Sequence, residues 1–218
     1  MVNVYFVKGG MYLNITNWCS NDCLFCLRNF KDGVQDYNLK LEKEPNLEEI
    51  WDEFQSKYDE KIKEVVFCGV GESLYRLDDI VLPLSKKISE TYNKSIRIVT
   101  NGHVGILFPG RNIAKELKDS GVSKISISLN AENHVLYNKL CKPQEIIDIN
   151  DPSVYEYVKT FIQNCSNEML KVEATALKIP KNKMIKYFEA PNIIECKKIA
   201  EKLGAVFRER KYFGPKLR

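Results

Sequence analysis

The sequence contains no apolar run near the roughly 18–20 residues that a membrane-spanning helix needs. Its opening, MVNVYFVKGG, lacks the basic segment, apolar stretch and small-residue cleavage site of a secretory leader. These absences point to a cytoplasmic protein with no membrane partner. Its cysteines are then expected to be reduced, and a cluster of them reads as metal-binding or catalytic rather than disulfide-bonded. An excess of charge is missing as well: 33 basic against 29 acidic residues leave +4, too little to imply nucleic acid. The exception is RERKYFGPKLR (208–218), where basic residues flank Tyr212 and Phe213, a composition able to bind nucleic acid. A last strand followed by a solvated terminus accounts for it more simply. Internal repeats, low-complexity segments and Gly/Ser- or Pro-rich linkers are absent too, and residues 1–218 are expected to form a single domain.

What is present is an alternation of short β-rich runs with longer amphipathic stretches. Strands are expected at MYLNIT (11–16), IKEVVF (62–67), SIRIVT (95–100), KISISLN (124–130), KVEATAL (171–177) and AVFRER (205–210). Helices are expected near 46–58, 77–92, 111–120, 132–140, 151–165 and 191–203. Asn46 stands as an N-cap, Asp151-Pro152 as a helix start, and Gly121 and Gly204 as C-caps. VNVYFV-KGG-MYLNIT reads as an opening hairpin. Six strands alternating with helices imply parallel βαβ units, in either an open doubly wound sheet or a partial (β/α) barrel.

In both architectures ligands bind at the carboxyl ends of the parallel strands. Four unusual segments fall there: NWCSNDCLFCLRN (17–29), CGVGES (68–73), TNGH (100–103) and SISLNA (126–131). In the first, Cys19, Cys23 and Cys26 are spaced C-x3-C-x2-C, near enough for three thiolates to converge. Iron–sulfur clusters normally take four cysteines, so three leave one iron open. A structural zinc also takes four ligands. Its fourth would come from Cys68, Cys141, Cys165 or Cys196, or from His103 or His134, the only two histidines. GVGES is glycine-rich, which lets its backbone approach a ligand, and Glu72 supplies an acceptor for a cationic group. The phosphate-loop pattern is absent. In SISLN, Ser126 and Ser128 share a strand face that Asn130 continues, and Ser128 and Asn130 suit sugar hydroxyls. Taken singly, TNG reads as a turn, Cys68 as a small packed side chain, and Cys165 and Cys196 as structural.

Together and in this order the motifs resemble the radical S-adenosylmethionine (SAM) superfamily. CSNDCLFC matches its C-x3-C-x-φ-C signature with Phe25 before the third cysteine, and GVGES is similar to its glycine-glycine-glutamate motif, with Ser73 where proline is commonest. YLNITNWCSNDCLFCLRN, VVFCGVGES, TNGHV…GRNIAKEL and SISLNAENHVLYNKLCKP further resemble the small TatD-associated members. The resemblance implies a partial (β/α)6 barrel with an N-terminal β-hairpin. It implies a 4Fe–4S cluster on Cys19, Cys23 and Cys26, with SAM on the fourth iron. Gly69, Gly71 and Glu72 would hold the methionine amino group, Asn101, Ser128 and Asn130 the methionine or ribose, Phe25 the adenine and Arg111 the carboxylate. It further implies reductive SAM cleavage to a 5′-deoxyadenosyl radical, oxygen sensitivity, and a reductant such as flavodoxin or ferredoxin. The substrate would be small, or a protein or nucleic acid that closes the barrel's open side. A TatD-type nuclease is an implied associate. The alternatives are an activase that puts a radical on a partner protein, and a non-catalytic zinc or iron–sulfur binding module.

Overall fold

The computed structural model describes residues 2–144, 153–184 and 189–217. β1 (Val4–Val7) turns through Lys8 and Gly9, at φ of 48° and 83°, into the antiparallel β2 (Gly10–Leu13). A small separate hairpin, β3 (Gly33–Val34) and β4 (Tyr37–Asn38), follows in the long connection after β2. Next come α1 (Leu47–Lys57), β5 (Glu64–Phe67), α2 (Leu82–Tyr92) and β6 (Ile96–Thr100). α3 (Val104–Leu107) and α4 (Ile113–Asp119) lead to β7 (Val122–Ser128), then α5 (His134–Cys141) and α6 (Ser153–Asn167) to β8 (Lys171–Lys178). α7 (Ile193–Lys202) and β9 (Val206–Lys211) complete the series.

The sheet order is β1-β2-β5-β6-β7-β8-β9, with every pair from β2 to β9 parallel. This order decides the architecture. A doubly wound sheet reverses its strand order in the middle, whereas here each crossover steps the same way and ends on the next neighbour. Crossovers are right-handed almost without exception, so the helices fall on one side and the sheet curls into a six-stranded parallel barrel left open between β1 and β9.

Local chemistry sets the boundaries. Asn46 caps α1 in a reciprocal box, accepting from Glu49 N (2.9 Å) while Glu49 Oε2 accepts from Asn46 N (2.8 Å). The stretch 77–92 does not form one α-helix. It opens with a π-type turn over Leu77–Val81 and becomes α at Leu82, where Pro83 has no N–H to donate to the carbonyl four residues back. Gly121 and Gly204 sit one position beyond the C-caps Ser120 and Leu203, at φ of 95° and 79°. The Asp151-Pro152 helix start lies outside the described residues. α3 is a single turn not expected from the sequence.

One continuous core lies between sheet and helices, where Ile98, Ile125 and Ile127 meet Leu84, Ile88, Leu117 and Ile162, all fully buried. Each such side chain contributes about 1.5–3 kcal/mol. Exposed ion pairs contribute about 0–1 kcal/mol each, so the helix layer holds the sheet in place. The opposite face is polar toward the amino ends. There Arg97 grips Glu64 through two bonds (2.7 and 3.1 Å) and Arg208 pairs with Glu173 (2.8 Å). Among the described residues no helix is long and apolar enough to cross a membrane.

Candidate functional site

The chain leaves β2 for the cysteine loop through segments strapped down on both sides. The buried Asn14 donates through Nδ2 to Leu39 O (2.8 Å) and Val2 O (3.2 Å). Thr16 Oγ1 (2.6 Å) and Asn17 N (2.9 Å) both donate to Glu44 Oε1. Farther along, Asp22 N donates to Lys142 O and Leu24 N to Leu140 O, each at 3.0 Å, and Asn21 bridges Pro143. This register lays the loop antiparallel along the end of α5 and sets Cys23 opposite Cys141. Asn130 Nδ2 donates to Cys141 Sγ (3.4 Å). Cys141 is thus buried beneath the loop.

Cys19, Cys23 and Cys26 line one cavity of about 710 Å³ at the carboxyl ends of the strands, together with Phe25, Gly69, Gly71, Glu72, Asn101, Ser128 and Asn130. Burial pushes the Cys19 thiol up to about 12, and the Glu72 carboxylate adds to the rise. Cys23 is raised by its contact with Cys141 and by burial. A metal taking these sulfurs as thiolates therefore displaces protons. Arg28 supplies countercharge: its Nε donates to Cys26 Sγ (3.3 Å), and its other nitrogens to Asn17 O (3.3 Å) and Asn21 O (3.0 Å). No three His, Cys, Asp or Glu side chains among the described residues close on a point that would hold one ion. The three sulfurs line one cavity, and thiolate donors suit an iron–sulfur cluster.

The GVGES turn is locked to that loop. Glu72 N donates to Trp18 O (2.6 Å). The buried Glu72 carboxylate accepts from Leu74 N (3.1 Å) and Asn101 N (2.6 Å), tying the end of β5 to the end of β6. Burial raises its pKa against the pull of these donors. The Thr100 side chain also donates to this carboxylate, and an ionised carboxylate with about four acceptor sites still has room for one more donor. The glycines have a different role from the one the sequence suggests. A Cβ on Gly69 would stand 1.9 Å from Asn14 Oδ1, and one on Gly71 2.3 Å from Thr16 O. They admit the protein's own loop.

Asn101 also docks the cysteine loop. Its Nδ2 donates to Ser20 Oγ (2.8 Å) and reaches Cys19 Sγ (3.8 Å). The buried His103 contacts Ser20 Oγ through Nδ1 (2.9 Å) and Tyr137 Oη through Nε2 (2.7 Å). Burial lowers its pKa to about 4. It is a structural link, whereas His134 is exposed at the start of α5. β7 ends at Ser128, and Asn130 turns away at φ 59° with its N–H on Thr175 O (3.0 Å). Ser126 points into the amino-end network, on Glu173 Oε1 (3.0 Å).

Arg111 is not brought to the cavity. It is bound at the surface to Asp78 (2.7 Å) and Glu116 (2.5 Å). Cys68 lines the cavity, while Cys165 and Cys196 are buried on α6 and α7. Nor is the tail a solvated terminus. Tyr212 and Leu217 are buried with Leu177, Ile179 and Met184 in a second apolar cluster that packs on Phe25. Tyr212 Oη donates to Pro215 O (2.9 Å), Leu217 N to Lys183 O (2.9 Å), and Phe30 meets the Tyr212 ring edge-on. Lys211, Tyr212 and Phe213 therefore form a cavity wall, joined by Arg210. Sequence reasoning missed Arg28, Arg210 and this wall. For Arg28 a signal existed in its place two residues after Cys26.

A sequence profile described as the Radical SAM superfamily matches residues 13–177. A probable GTP 3′,8-cyclase of Methanocaldococcus jannaschii is 31% identical over 130 residues, 60% of this chain and 39% of that protein. The dual-specificity RNA methyltransferase RlmN of Pseudomonas entomophila is 28% identical over 140 residues, 61% of this chain and 35% of that protein. Among solved structures, Streptococcus suis SuiB bound to S-adenosylmethionine superposes with TM-score 0.66 at 15% identity, over 95% of this chain and 42% of that one. SuiB bound to its precursor peptide SuiA gives TM-score 0.64 at 15% identity, over 95% and 41%. The chain thus spans well under half the length of these relatives.

Proposed function

Since the chain belongs to the radical SAM superfamily, we propose that it binds a 4Fe–4S cluster and SAM in the cavity at the carboxyl ends of its parallel strands and starts a radical reaction there. One observation carries this reading. The three cysteines, the glycine–glutamate turn, Asn101 and the Ser128–Asn130 strand end line a single cavity. Cys19, Cys23 and Cys26 would hold the cluster. When bound, the cluster supplies the electron that cleaves SAM to methionine and a 5′-deoxyadenosyl radical able to take hydrogen from a substrate.

The chain's own part is to bind, orient and enclose. Glu72 and the Gly69–Gly71 backbone offer acceptors for an amino group, Ser128 and Asn130 offer polar contacts to a ribose, and Phe25 offers an apolar face from the tail side. Asn101 and His103 hold the cysteine loop against β6 and α5. Arg111 is set aside as a carboxylate partner, its guanidinium being already paired. A flavodoxin- or ferredoxin-type reductant would deliver the electron. The seven strands in one sheet support a single core domain. Placement among the TatD-associated proteins, with a TatD-type nuclease as associate, rests on motif resemblance, since the matched curated relatives are named as a GTP cyclase and RNA methyltransferases. A second reading, a protein or nucleic-acid substrate that closes the open side, is favoured by the outer edge of β9 beside the cavity, with which no strand pairs among the described residues.

The test is anaerobic reconstitution, iron and sulfide analysis, and incubation with SAM and dithionite. Wild type and Cys165→Ala should yield 5′-deoxyadenosine, and Cys23→Ala should yield none. A reconstituted wild type with neither cluster nor 5′-deoxyadenosine overturns the reading.

A further inference from the structure

Arginine in this protein is normally paired with a carboxylate. Arg76 holds Glu44 and Asp79, Arg97 holds Glu64, Arg111 holds Asp78 and Glu116, and Arg208 holds Glu173. Among the described residues Arg28 and Arg210 break this rule, and both line the cavity that holds the three cysteines. Arg28 is accounted for by the Cys26 sulfur and two carbonyls.

Arg210 is not accounted for. It shares the inward face of β9 with Arg208, two residues nearer the carboxyl end. Among the described residues its one hydrogen bond runs from Nη2 to Asn130 Oδ1 (2.8 Å), and its buried Nε has no partner. Enclosing a guanidinium without a carboxylate is costly, and an unmade donor adds to that cost. The nearby sulfurs of Cys23, Cys68 and Cys141 offset it only in part: Arg208 opposes it, Lys31 and Lys211 line the same cavity, and among the described residues the only carboxylate there, Glu72, is engaged by main-chain amides. A wall that brings Lys31, Lys211 and a preset planar donor with a free Nε together is suited to an anion, since guanidinium matches carboxylate and phosphate oxygens in pairs.

We propose that Arg210 is the anchor for an anionic group, carboxylate or phosphate, on the substrate, with Asn130 holding its guanidinium at the required angle. This names the substrate's chemical class and rests on the cavity being the radical SAM site. Binding need not accompany cleavage, so the two can fail separately.

The experiment is anaerobic calorimetric titration of the cluster-reconstituted protein, saturated with SAM, at fixed low ionic strength. The probes are inorganic pyrophosphate and malonate, which separate phosphate from carboxylate recognition. At least one should bind wild type, Arg210→Gln should weaken it tenfold or more, and Arg210→Lys should lie between. The SAM affinity should move less than about threefold. Should Arg210→Gln not fold, Arg210→Lys decides alone, with a loss of threefold or more expected. No binding of either anion to wild type, or equal binding to the variants, overturns the proposal. So does a tenfold loss of SAM affinity in Arg210→Gln, which would make the guanidinium a partner of SAM instead.

Discussion

At the scale of single residues, Gly71 shows how the site is built from the protein's own backbone. A Cβ there would stand 2.3 Å from Thr16 O and 2.7 Å from Trp18 O. Those carbonyls cannot withdraw, because Thr16 and Asn17 are tied to Glu44 and Trp18 O accepts from Glu72 N. Gly71→Ala should therefore cost about 1–3 kcal/mol, the usual cost of forcing in a methyl group. It should also lower iron content per chain by shifting the segment that carries Cys19. Thermal denaturation and iron–sulfide analysis check this, and wild-type values in both would mean the loop moves aside freely. The motif's location was legible in the sequence, because Gly-Val-Gly-Glu after an apolar strand marks a carboxyl-end loop. Its cause was not, since contact with Thr16 and Trp18 exists only after folding. The same limit applies to arginines: nothing in the sequence separates the surface-paired Arg111 from the unpaired Arg210.

At the scale of elements, the alternation of β-rich runs and capped amphipathic stretches gave away six strands and their helices. Periodicity and caps are local properties, and Asn46 and Gly121 act locally. The tail was not legible for the opposite reason. YFGPKL has no period, and its place depends on the barrel remaining open beside β9. There Tyr212 and Leu217 find Leu177, Ile179 and Met184 and cover them. Removing residues 212–218 should expose this cluster. Two buried side chains at about 1.5 kcal/mol or more each set a loss on the order of 3 kcal/mol. At about 2–4 °C per kcal/mol for a chain of this size, the Tm should fall by roughly 6–12 °C. The truncated protein should also bind SAM more weakly, because Phe25 loses its backing. An unchanged Tm would show that the tail detaches without cost to the body.

At the scale of the whole molecule, the cysteine loop, β6 and α5 meet at His103, and their union should depend on pH. The imidazole bridges Ser20 Oγ and Tyr137 Oη inside the protein, and burial lowers its pKa from 6.5 to about 4. Between those values the unfolded chain binds a proton that the folded protein refuses, so stability rises with pH across that interval. The contribution is complete above about pH 6.5 and is lost as pH falls toward 4. At 1.36 kcal/mol per pKa unit it amounts to roughly 3 kcal/mol. Replacing the ring by an amide removes the titration, and His103→Gln should be less stable at pH 7.5 yet lose less on acidification. The check is urea denaturation of both proteins at pH 7.5, 6.0 and 5.0, taken as a difference so that carboxylate titrations shared by the two cancel. The gap should narrow steadily toward pH 5.0. A gap independent of pH would mean that water or a shifted Tyr137 already accommodates the charged ring, and that the loop is held by Asn101 and Glu72 instead.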